Sequence, residues 1–141
     1  MVLETKVTII KQDVRVPYIM HEFSIAQSML NLVEDQVGEK RVLFSATVTI
    51  GPLAGISIES LRFCFTEIAK QMGFGSPRLI INDVPARALC LDCSRQYAMK
   101  DMFEICPKCH SLHRSILSGE EFTLDSVELE EPEGEPKPTE K

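Results

Sequence analysis

Two cysteine pairs, Cys90-Leu91-Asp92-Cys93 and Cys106-Pro107-Lys108-Cys109, stand twelve residues apart and constrain this chain more than anything else in it. A two-residue gap lets one tight turn aim two thiols at a common point. Two such turns complete a tetrahedron of sulfur, with Zn–S distances of about 2.3 Å. The segment between the pairs has few large apolar residues, so a bound ion must supply much of its folding energy. Four thiolates leave no open coordination position, and such a zinc is structural. A redox CxxC pair is a poorer reading, because two pairs at ribbon spacing are present. Iron in a rubredoxin-like site uses the same four thiolates and stays open at this point. The fifth cysteine, Cys64, lies between Phe63 and Phe65 and reads as a small buried apolar side chain.

Hydrophobic periodicity places the rest. Residues 1–19 are strand-like, with Val7 and Ile9 alternating, and end at Pro17. From Ser24, which forms a capping box with Gln27, the residues Ile25, Met29, Leu32, Val33 and Val37 fall on one face of a helix. Val42, Phe44, Ala46, Val48 and Ile50 alternate with Leu43, Ser45, Thr47 and Thr49, predicting a half-buried strand stopped by Gly51-Pro52. A second helix carries Ile58, Leu61, Phe65, Ile68, Ala69 and Met72, and Gly73 closes it. A second strand starts at Arg78 and runs towards Ala88, and a last one covers Glu121–Leu129, with a bulge or break between Leu124 and Val127 where the apolar phase slips. The expected fold is α+β: a three-stranded sheet with two helices, and the four-cysteine zinc ribbon inserted before the last strand.

Charge narrows the function classes. A net charge of −6 argues against backbone-driven nucleic-acid binding. The competing reading, a zinc-ribbon nucleic-acid or transcription-associated module, rests on Arg87, Arg95, Lys100, Lys108 and Arg114, which are spread out with few stacking aromatics near them. No apolar run reaches the roughly 20 residues of a membrane span. Glu4, Lys6, Lys11 and Asp13 interrupt any signal-peptide core. A reducing, cytoplasmic setting follows, in which close cysteine pairs bind metal. No serine–histidine–aspartate set, phosphate loop or catalytic carboxylate pair is found, so the chain does not read as an enzyme.

The three histidines are His21, His110 and His113. Met20-His21-Glu22-Phe23-Ser24 ahead of an amphipathic helix resembles the amino terminus of the HypA/HybF family of hydrogenase nickel-incorporation proteins. The likeness continues in Leu61-Arg62-Phe63-Cys64-Phe65 and in the ribbon ending Cys106-Pro107-Lys108-Cys109-His110. It resumes in Ser118-Gly119-Glu120-Glu121-Phe122 leading to Val127-Glu128-Leu129, and spans residues 20–130 or thereabouts.

The resemblance implies a nickel metallochaperone that carries Ni2+ at the start of its chain and Zn2+ in the ribbon at Cys90, Cys93, Cys106 and Cys109. It implies a HypB-type GTPase partner and delivery to the large subunit of [NiFe]-hydrogenase, or in some organisms to urease. The matching nickel position is His21, with Met20 contributing its amine or backbone and Glu22 beside it; His110 and His113 are auxiliary candidates. No nucleic acid and no membrane enter this picture, and the chain would act as a monomer or homodimer. In the family the motif opens the protein and its free amine binds nickel, whereas nineteen residues precede Met20 here. The expectation is an N-terminal extension, which the alternation of Val7 and Ile9 would let form an extra edge strand, or a misplaced start over 1–19. A nickel-binding α/β domain from 20–88 and 115–130, a zinc ribbon at 89–114 and a disordered acidic tail at 131–141 follow.

Overall fold

The computed structural model describes residues 5–14, 22–37 and 42–130. The expected tail at 131–141 lies outside them, as do Met20 and His21. The elements run β1 (Thr5–Asp13), α1 (Glu22–Val37), β2 (Leu43–Ile50), α2 (Ile58–Gln71), β3 (Arg78–Asp83), β4 (Ala86–Cys90), β5 (Gln96–Met99), β6 (Arg114–Ser118) and β7 (Phe122–Glu130). They form two sheets, one of four strands in the order β1-β7-β2-β3 and one of three in the order β5-β4-β6. The α+β class with two helices agrees with the sequence reading. The main sheet, however, has four strands rather than three, because Thr5–Asp13 pairs with β7 and forms its edge.

Helix α1 buries Ile25, Ala26, Met29, Leu30 and Val33, one stripe of the helix. It begins at Glu22, so Ser24 lies within the first turn and is not the cap. Helix α2 buries Leu61, Phe65, Ile68 and Ala69 and is capped by Ser57, whose hydroxyl accepts from the N–H of Ser60 at 3.3 Å. Its other end closes as a Schellman turn: Gly73 has φ +86°, Gly73 N–H reaches the carbonyl of Lys70 (3.1 Å) and Phe74 N–H that of Ala69 (2.9 Å). Phe74 then drops into the core, which the helices and one face of the main sheet enclose together.

Two strands depart from simple alternation. At the start of β2, Phe44 is 45% exposed and Val42 just ahead of the strand 46%, while Leu43 is buried, the reverse of the expected phase. The pairing with β7 shifts between Leu43 and Ser45, and the extra residue turns the start of the strand over. In β7 the expected irregularity is a bulge at Asp125: Ser126 pairs with Thr47, but Leu124 pairs with Val48. The buried Asp125 carboxylate accepts from the Thr49 hydroxyl (2.6 Å) and lies 3.8 Å from the Lys11 ammonium, so the bulged polar group is satisfied.

The strand expected from Arg78 towards Ala88 is two strands in different sheets. β3 runs parallel to β2, and β4 pairs with β5 and β6. Pro85 at the break cannot donate to a ladder, and its carbonyl accepts from the Ser118 hydroxyl at 2.7 Å. The chain thus leaves the main sheet at Asp83 and re-enters it at Phe122.

Candidate metal centre

The ribbon's sheet delivers Cys90 at the end of β4, and the next residues turn back at once. Cys90 N–H donates to the carbonyl of Arg95 (2.8 Å) and Ser94 N–H to that of Cys90 (2.9 Å), while Cys93 N–H points at the Cys90 sulfur (3.4 Å). The second knuckle repeats the first residue for residue. Cys106 N–H donates to Ser111 (3.1 Å) and His110 N–H to Cys106 (2.8 Å). Ser94 and His110, which each follow the second cysteine of a pair, have φ of +67° and +64°. That left-handed residue is what lets so short a turn close. His110 is therefore the closing residue of the second knuckle, whatever else its ring does.

The two knuckles bring all four sulfurs within 4.8 Å of one another. Cys90 and Cys109 stand 3.5 Å apart and Cys93 and Cys106 3.6 Å, well beyond the roughly 2.05 Å of a disulfide. A tetrahedron with Zn–S bonds of about 2.3 Å has edges of about 3.8 Å, so the observed separations fit such an ion. Cys90 and Cys106 are buried, Cys93 is half-buried and Cys109 is exposed.

The thiols divide into two kinds. Backbone N–H donors, from Cys93 onto Cys90 and from Cys109 onto Cys106, lower both pKa values, Cys106 to about 6. At Cys93 the hydrogen bond from Arg95 also lowers it, but burial and the sulfurs of Cys106 and Cys90 outweigh that and leave it raised. At Cys109 the N–H of Ser111 is outweighed by Cys90, burial and the other two sulfurs, and the thiol is pushed up to about 12. Four thiolates this close repel one another, and a dication is what allows all of them to ionise.

Around the sulfurs the two knuckles are tied together. Leu91 N–H donates to His113 (2.9 Å). The Asp92 carboxylate accepts from the Ser111 hydroxyl and lies 3.4 Å from His113 Nδ1. The Ser111 hydrogen bond, with His113 second, holds Asp92 below the usual carboxylate range. Arg114 bonds the carbonyls of Met102 (2.6 Å) and Glu104 (3.1 Å), fixing the loop between the pairs. Sequence reasoning passed over Asp92 and Ser111. Their only signal was a carboxylate inside one CxxC and a hydroxyl just past the other.

Of Met20, His21 and Glu22, Glu22 alone lies among the described residues. It is the first residue of α1, and its carboxylate accepts from the backbone N–H of Ser57 at 2.8 Å. His113 lies against Asp92 on the ribbon. Cys64 packs half-buried against the main core, in keeping with its reading as an apolar side chain. No described helix is long and apolar enough to cross a membrane.

The chain is similar to known proteins over most of its length. Residues 20–129 match the family described as hydrogenase/urease nickel incorporation, metallochaperone, hypA. The chain is 40% identical over 118 residues to the hydrogenase maturation factor HypA of Chlorobium luteolum, covering 82% of this chain and 100% of that protein. To the factor of the same name from Azotobacter chroococcum it is 35% identical over 113 residues, covering 79% and 100%. The solution structure of the Ni metallochaperone HypA from Helicobacter pylori superimposes with a TM-score of 0.53 at 25% identity, over 78% of this chain and 97% of that one.

Proposed function

We propose, from the premise that this chain belongs to the HypA family of hydrogenase and urease nickel-incorporation metallochaperones, that it keeps zinc in the ribbon and carries nickel at Met20-His21-Glu22. The observation that carries this division of labour is the closed four-thiolate cluster. Its four sulfurs lie within 4.8 Å of one another, and an ion held by all four has no open position through which to be handed on. A cargo ion needs a second site of few ligands, and the segment ahead of α1 offers an imidazole flanked by backbone nitrogens. Those donors suit square-planar Ni(II).

In this reading Cys90, Cys93, Cys106 and Cys109 hold zinc, and the bound ion supplies the charge that neutralises them and cross-links the knuckles. The residues of the chain do the rest: backbone N–H groups steady the sulfurs, and Arg114 and Asp92 steady the loops between them. His21 is the principal nickel ligand, with Met20 contributing its amine or backbone. His110 and His113, both on the ribbon, are auxiliary donors. The chain acts in the cytoplasm without catalysis of its own, passing nickel with the help of a HypB-type GTPase to the large subunit of [NiFe]-hydrogenase.

Metal analysis of the purified 1–141 chain and of His21→Ala, each equilibrated with zinc and nickel, tests the assignment. Zinc is expected in both and nickel in the first alone. Nickel retained by His21→Ala with unchanged affinity overturns it.

A further inference from the structure

Each cysteine knuckle is closed by its own hydrogen bonds, so the placing of the two sulfurs within a pair is settled locally. The freedom that remains is the angle of one pair against the other. That angle decides the coordination geometry: crossed pairs make a tetrahedron, and pairs turned into one plane make a square.

Residues 111–113 fix this angle from the side of the protein, because they are bonded to both knuckles. The ladder of β4 and β6 ends at Cys90 opposite Arg114, and Leu91 N–H extends it by one more bond to the carbonyl of His113 (2.9 Å). The carboxylate of Asp92, inside the first knuckle, accepts from the Ser111 hydroxyl, and the same hydroxyl oxygen accepts the N–H of His113 at 2.9 Å. The carbonyl of Ser111 accepts the N–H of Cys106, the first cysteine of the second knuckle, at 3.1 Å. Turning either pair of cysteines therefore strains bonds to a segment that the other pair holds. Asp92 lies between Cys90 and Cys93 and Ser111 two residues past Cys109, so their bond joins the two knuckles side chain to side chain.

The two ions that a member of a nickel-incorporation family meets respond differently to such a constraint. Zinc has no geometric preference from its d electrons and is held by four thiolates as a tetrahedron. Ni(II) favours a square plane. Knuckles kept crossed cost zinc nothing and penalise nickel.

We propose that the Asp92–Ser111 hydrogen bond is a specificity determinant of the four-cysteine site: it keeps the knuckles crossed, so that the four thiolates take zinc and resist Ni(II). This rests on the zinc assignment to the ribbon above, and not on where nickel is carried.

The full 1–141 chain is compared, reduced and without oxygen, with Asp92→Ala, Ser111→Ala, the double variant and Asp92→Asn, which keeps an acceptor. Zn2+ and Ni2+ compete for the cysteines. The sulfur-to-nickel charge-transfer band reports nickel at the cysteines alone, so nickel held by nitrogen or oxygen donors elsewhere does not enter the reading. The ratio of zinc to nickel affinity should fall roughly fivefold in each alanine variant, the scale of one exposed hydrogen bond. The double variant should fall no further than either single one, because both remove the same bond, and Asp92→Asn should stay within about twofold of the parent. The d–d bands of the nickel-loaded parent should be those of a tetrahedral ion and should move towards the planar pattern in the alanine variants. Equal weakening of both metals overturns the proposal, since the bond then only stabilises the ribbon. An unchanged ratio, or a planar nickel spectrum in the parent, overturns it as well. A parent chain that takes up no zinc defeats the zinc assignment, and the proposal with it.

Discussion

Gly51 and Gly119 meet backbone to backbone: a Cβ built on Gly51 would stand 2.1 Å from the carbonyl oxygen of Gly119. Gly119 in turn has φ +115°, and a Cβ there would come within 2.5 Å of the Cβ of Ala86. This is the seam between the two sheets, at the end of β2, the start of β4 and the passage from β6 to β7. Glu121 closes it by accepting the N–H of Gly119 at 2.8 Å.

Gly51→Ala is therefore expected to destabilise the zinc-loaded protein by about 3 kcal/mol, since its clash is with backbone that cannot swing aside. Gly119→Ala adds left-handed strain to a clash and should be at least as harmful. Chemical denaturation with zinc in excess measures both. Zinc binding itself should survive, because each knuckle closes through its own hydrogen bonds.

Zinc uptake should release protons at neutral pH, chiefly from Cys93 and Cys109, whose thiols are held above the ordinary range, Cys109 at about 12. Acidification should weaken zinc binding, and a pH-stat titration reads the release directly.

Cys106→Ser removes a buried thiol from the smaller cluster, whose other buried members are Ala86, Ala88, Cys90, Tyr97 and Met99. That core is too small to hold three strands by itself. Hydrogen exchange in β4, β5 and β6 should become fast, while α1, α2 and β2, packed in the larger cluster, stay protected.

Removing residues 1–19 deletes β1, with its pairing to β7 and the buried side chains of Ile10 and Val14. Two aliphatic side chains and an edge of ladder make a loss of about 3 kcal/mol the expected scale. The 20–141 chain should still fold, since the matched relatives align with the remainder of the sequence. Calorimetric comparison of nickel binding by 1–141 and 20–141 then reports on the amine of Met20. Tighter binding by the shorter chain is expected, and equal affinities would mean that the amine contributes nothing.

The parts of the fold that could be read in advance are those with a local physical signature. The stripe from Leu61 to Ala69, the stop at Gly73 and the bulge near Asp125 each show within one turn or a few strand residues. Val42 and Phe44 misled because strict alternation holds only while the register does, and the slip is defined by β7, far along the chain. Ser24 had the form of a cap, but the helix begins at Glu22, whose carboxylate is held by Ser57, thirty-five positions away.

By itself the sequence determined that two knuckles would gather four sulfurs and that two amphipathic helices would cover a sheet. Both follow from the reach of a CxxC turn and from the periodicity of burial. Only the tertiary structure decided that Thr5–Asp13 would pair with β7, where alternation alone had offered an edge strand as one reading, and that Arg78 to Cys90 would divide at Pro85. It also brought Gly51 against Gly119 and hooked Glu22 to Ser57. These are contacts between segments remote in the chain. Short-range spacing carries no information about which remote backbone will supply the missing partner; the packing of the two cores, taken whole, selects it.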